Sequence, residues 1–146
     1  MQLPTALALA LMLQSPVADG ERTAIFQAAG FTPVGGQYQT CDRSGALEVD
    51  VRDLNGDGRP EAIVTDSGIE CYGAAGAGFA LLTRSAEGRW RKLYQSPGML
   101  TVLESRAEGW PELEVGGPGF CFPVLRWNGR EYSVARHAYE GRPCRG

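Results

Sequence analysis

The stretch DLNGDGRPEAIV, Asp53 to Val64, sets oxygen-bearing side chains at alternate positions, Asp53, Asn55 and Asp57, around Gly56 and Gly58, and then passes into an apolar run. Asn-Gly and Asp-Gly steps favour turns and left-handed backbone, so a helix is not expected to cross this segment. EAIVTD, rich in β-branched residues, reads as a strand. The whole stretch is therefore a polar curl feeding a strand, and the reading of its neighbours follows from that.

Upstream, LEVDVRD alternates: Leu47, Val49 and Val51 point one way, Glu48, Asp50 and Arg52 the other, as a half-buried antiparallel strand requires. Downstream, FALLTR, RWRKLYQ, LTVLES, ELEVG, FPVLRW and EYSVARHAY are short and rich in apolar and aromatic residues, and YQTC upstream is read the same way. Glu87-Gly88 joins FALLTR to RWRKLYQ, and Asn128-Gly129 joins FPVLRW to EYSVARHAY as a hairpin. The glycine clusters 73–78 and 116–119 read as loops between strands. ERTAIFQAAG, residues 21–30, is the one helix expected after the N-terminal segment, with Ile25, Phe26 and Ala29 on one side and Gly30 as its stop. The expected fold is mainly β: an antiparallel sheet or meander, blade-like or a small sandwich, with one short N-terminal helix after a signal peptide.

The chain has 146 residues, the size of one domain. Residues 1–20 carry an apolar run from Ala6 to Leu13 followed by small residues, the layout of a signal peptide, with cleavage expected after Gly20 and a single β-rich domain over 21–146. The run is too short to span a bilayer. Four cysteines, Cys41, Cys71, Cys121 and Cys144, are an even count that fits disulfides in an exported protein, periplasmic or secreted, and none forms a C-x-x-C pair. The favoured pairing is Cys41 with Cys71 and Cys121 with Cys144, each closing a hairpin-sized unit. A formal charge of −3 gives no electrostatic footprint for nucleic acid, and no membrane insertion is expected of a chain read as a monomer.

Calcium takes about six to eight oxygens, and a short curl supplies them best from alternate residues. The twelfth position of the curl is Val64 rather than Glu, which excludes the helix-loop-helix calcium motif. DLNGDGRPEAIV instead resembles the D-x-N-x-D-G-x-x-D/E loop of FG-GAP and VCBS-type repeats, which bind calcium between strands of a propeller blade. The resemblance implies a structural calcium ligated by Asp53, Asn55, Asp57, Arg59 through its carbonyl, and Glu61. The loop occurs once, whereas a propeller needs several blades. The downstream order GFALLTR, GRWRKLY, GWPELEVGG and RWNGREY is similar to that of small exported bacterial proteins with a single such loop.

Nucleophilic hydrolysis would need a base, and the sole imidazole is His137, which alternation places on a solvent-facing strand position. Glu104, Glu108, Glu112 and Glu114 near Trp110 could form the paired acids of a glycosidase. Trp110, Phe120, Phe122 and Trp127 could present a partner surface, although rings in so small a domain are more often core. Three function classes follow. The first is an exported calcium-binding β-domain acting as a non-enzymatic binding module for an envelope protein or glycan. The second is an inhibitor of a cell-wall hydrolase such as lysozyme, to which YQTCD bears a slight resemblance. The third is a hydrolase using the acids near Trp110.

Overall fold

The computed structural model describes residues 16–40 and 47–145. It is mainly β, with two antiparallel sheets and a helix laid on the first. Helix α1 spans Asp19–Ala29, two residues earlier than the sequence suggested, with Asp19 and Glu21 in the first turn where acidic groups favour the helix dipole. Gly30 ends it at φ 102°, as expected of a left-handed stop. Of the segment read as a signal peptide, residues 1–15 lie outside the described residues. Asp19 and Gly20 form the opening of α1.

The first sheet is the meander β1 (Leu47–Arg52), β2 (Glu61–Ser67), β3 (Ala77–Arg84) and β4 (Trp90–Pro97). The second is β5 (Met99–Ala107), β6 (Trp110–Gly116), β7 (Phe122–Trp127), β8 (Tyr132–Tyr139) and the short β9 (Arg142–Pro143). Every pair of neighbours is consecutive and antiparallel, as the turn-rich sequence implied. The chain changes sheet at Gly98, where a Cβ would lie 2.5 Å from the Gly116 carbonyl, so only glycine fits the crossing. A short helix α2 (Ile69–Tyr72) precedes the cluster 73–78 read as a loop, which holds a 3-10 turn (Gly73–Ala75) and whose last residues, Ala77 and Gly78, already belong to β3.

Three layers result. Ile25, Phe26 and Ala29 of α1 pack on Ala62, Val64, Ala80 and Leu82, with Leu47, Val49 and Val51 of β1 facing the same side. The opposite face of this sheet, through Ile63, Phe79 and Leu81, packs on Leu113, Val115, Leu125, Trp127 and Tyr132 of the second sheet. Strands β2 and β3 are buried on both faces, which explains their nearly continuous apolar runs.

Two strand readings are corrected. Residues 38–40 of YQTC are not strand; Gly35 and Gly36 close a turn bridged by Val34 and Gln37, and Tyr38 then lies against Phe26 at 5.3 Å. Cys41 and Asp42, which complete YQTCD, lie outside the described residues, and so does the pairing of Cys41 with Cys71. In β8 the register shifts between Val124 and Leu125, which leaves Ala135 without a cross-strand partner. That bulge breaks the alternation used to place His137, and the imidazole is half-buried rather than fully solvent-facing. The Cys121–Cys144 disulfide is present as expected and ties the start of β7 to the chain after β9. No helix among the described residues is long and apolar enough to cross a membrane.

Candidate metal-binding loop

The Cα atoms of Arg52 and Glu61 pair across the β1–β2 ladder, so residues 53–60 must leave the sheet and return to the same rung. Side chains do this by capping backbone amides a few residues ahead, the local habit of Asp and Asn. Asp53 accepts the Gly56 N–H on Oδ1 at 2.8 Å and the Gly58 N–H on Oδ2 at 2.9 Å. Asn55 Oδ1 accepts the Asp57 N–H at 3.1 Å, and Asp57 Oδ1 accepts the Arg59 N–H at 2.7 Å. Gly56 and Gly58 sit at φ 75° and 82°, left-handed values that a side chain would resist. The alternate residues singled out in the sequence are thus the ones that turn into the curl. The Gly58 amide, followed by those of Gly56 and its neighbours, holds the Asp53 carboxyl below its ordinary range against a smaller opposing effect of burial.

Glu61 closes the loop from the strand side. It is 1% exposed; Oε2 accepts the Leu54 N–H at 2.8 Å and Oε1 accepts the Thr83 hydroxyl at 2.8 Å, Thr83 being its cross-strand partner. Burial pushes its carboxyl above the usual range, while the Leu54 amide and the Thr83 hydroxyl pull in the other direction. Leu54 itself turns into the core between the sheets. Its carbonyl accepts Arg106 Nη1 at 2.9 Å, and the same nitrogen donates to the Gly109 carbonyl at 2.9 Å. The loop of the first sheet is therefore fastened to the β5–β6 turn of the second.

The donor set suits a hard cation. Asp53, Asn55 and the Arg59 carbonyl offer oxygens, the side-chain ones being turned toward the loop amides. Asp57 Oδ2 is shared with the Arg59 guanidinium at 3.0 Å. Among the described residues no three His, Cys, Asp or Glu side chains are gathered closely enough to hold a metal by themselves. A site here would draw on two carboxylates, Asp53 and Asp57, with neutral oxygens from Asn55 and Arg59. Glu61, also expected as a ligand, accepts one protein hydrogen bond on each oxygen, as Asp53 does.

The acids considered for glycoside cleavage lie on β5, on β6 and in the turn between them. Glu112 is buried between Arg126 Nε at 3.0 Å and Arg136 Nη1 at 2.7 Å. The Arg136 hydrogen bond and then bonds from Ser105 and Arg126 bring its carboxyl down to about 2 against the effect of burial, so at neutral pH it has no proton to donate as a general acid. Glu104 and Glu108 are exposed. Trp110 stacks on Trp127 at 4.7 Å and both meet Tyr132 edge-on, so these rings belong to the core, whereas Phe120 is exposed beside Tyr139. The Tyr132 hydroxyl donates to the Pro111 carbonyl at 2.8 Å, and burial drives its pKa above the usual phenol range.

Thr83 and Arg106 were not anticipated, because their roles depend on cross-strand and cross-sheet neighbours. The chain matches no protein-family model, no curated protein and no solved structure.

Proposed function

We propose that the protein is a non-enzymatic binding module whose β1–β2 loop is fixed by one calcium ion, held by Asp53, Asn55, Asp57 and the Arg59 carbonyl, with Glu61 locking the loop to the sheet. The observation that carries this reading is the inward turn of the side chains at 53, 55 and 57 around two left-handed glycines. The ion would offset the repulsion between the loop carboxylates and hold the seam between the sheets, where Arg106 joins Leu54 to Gly109. The Cys121–Cys144 disulfide supports an oxidising location, the periplasm or the cell exterior. The partner class remains an envelope protein or glycan.

Thermal unfolding with calcium against chelator tests the ion. Saturation at about a hundred times the dissociation constant adds ~2.7 kcal/mol, and Asp57→Asn should remove most of that gain. Terbium placed in the loop should show emission sensitised by Trp110, which directly follows Gly109. A melting temperature indifferent to chelator, together with no sensitised emission, overturns the calcium reading.

A further inference from the structure

At the other end of β2 the strand carries a second buried acid. Asp66 is 3% exposed; its Oδ2 accepts the Tyr72 hydroxyl at 2.8 Å, while Oδ1 is buried with no hydrogen-bond partner among the described residues. Asp66 enters no ion pair among the described residues. On β4, Lys92 donates to Gln95 Oε1 at 2.6 Å and to the Ala29 carbonyl at 3.4 Å. A buried carboxylate with one neutral donor and no counter-charge is costly, and such a group is retained where something supplies the missing partner.

Asp66 lies in the lining of a cavity of about 310 Å³, alongside Phe31, Val64, Tyr72, Ala80 and Pro97. This space lies on the helix side of the first sheet, where α1 ends and Phe31 follows Gly30. It is built around the pair Asp66 and Gly78, which face each other in the ladder. A Cβ on Gly78 would collide with the Tyr72 ring, so glycine there is what lets the ring lie over the strand and reach Asp66.

We infer that this pocket binds a small organic cation, a primary ammonium or guanidinium group on a short apolar stem. The carboxylate would face the charge, the aliphatic and aromatic walls would cover the stem, and a ring face beside a cation adds to the attraction. A bare metal ion fits poorly, because one carboxylate with Gln95 and Ser96 in a mostly apolar lining falls short of the oxygens that a hard cation requires, and Gln95 Oε1 already accepts Lys92 Nζ at 2.6 Å. The volume sets the size, since it lies at the lower end of ligand pockets and takes a side-chain-sized group. The site is separate from the calcium loop: Glu61 and Asp66 stand five strand residues apart, roughly 17 Å.

The test is a titration of the full-length chain with n-butylammonium and with agmatine, followed by amide chemical shifts, with n-butanol as the neutral isostere. Shifts confined to the ends of β2, β3 and β4 and to Tyr72, with butanol about tenfold weaker, are the expected result. Asp66→Asn should weaken the amines by about tenfold and leave butanol unchanged, whereas Tyr72→Phe, which keeps the ring and the carboxylate, should retain them. Equal binding of butanol, amine binding untouched by Asp66→Asn, or no shift with either amine overturns the inference. If Asp66→Asn does not fold, the amine and butanol comparison on the unaltered chain decides it alone.

Discussion

The two ends of β2 hold buried acids in opposite conditions. Glu61 has a donor for each oxygen, one from the loop backbone and one from the neighbouring strand. Among the described residues Asp66 has a donor for only one. Both stand in the same strand and beside the same partner strand, so strand propensity does not separate them. The difference lies in what each end connects to. Glu61 adjoins a loop whose backbone turns an amide toward it, while Asp66 faces a glycine and a cavity. A saturated buried acid fastens structure, and an unsaturated one is available to a ligand.

Removing Glu61 should therefore have the largest effect. Glu61→Ala leaves the Leu54 N–H and the Thr83 hydroxyl without acceptors and should cost about 3–4 kcal/mol in urea unfolding, with the loop loosened even in calcium. A loss below ~1 kcal/mol would break the comparison, because Glu61 would then be no fastening.

Glu112 sharpens it as a third buried acid, one with two cationic partners. Its folded pKa of about 2 is depressed, so its stabilisation is present above the unfolded carboxyl value near 4.5 and is lost as pH falls toward 2. Glu61 has the opposite sign: its folded value is raised, so its ionisation lowers stability as pH climbs from the unfolded carboxyl value near 4.5 up to the folded one. Glu112→Gln should flatten the acid limb of the stability profile by about 2 kcal/mol between pH 4.5 and 2. This is less than the full shift implies, because both guanidinium groups are more than a third exposed and screened. An acid limb unchanged in the variant would refute the assignment.

The smallest effect belongs to Asp66, and its sign is reversed. Asp66→Asn, without ligand, should raise stability by about 1 kcal/mol at neutral pH, since a buried amide costs less than a buried charge. Loss of stability comparable to that of Glu61→Ala would mean that Asp66 is fastened too and that the two ends of β2 do not differ.

Much of this was legible in the chain because local patterns carry it. Alternation in LEVDVRD, the Asn128-Gly129 turn and the left-handed stop at Gly30 each depend on a few neighbouring residues, and all three are present as read. The inward turn of Asp53, Asn55 and Asp57 is equally local, since their acceptors serve amides within the same loop. The bulge at Ala135 was not legible, because it arises from register against β7 and not from β8 itself. Nor was the division of the aromatics, with Trp110 and Trp127 inside and Phe120 outside, which depends on how the sheets stack.

By itself, then, the sequence determined the strands, the turns and the curl, since propensity, alternation and side-chain capping act over a few residues. Tertiary structure alone decided that Glu61 would be saturated, Asp66 half-empty and Glu112 held by two arginines. Those states depend on partners from other strands or elements, brought within bonding distance only when the sheets and the helix pack.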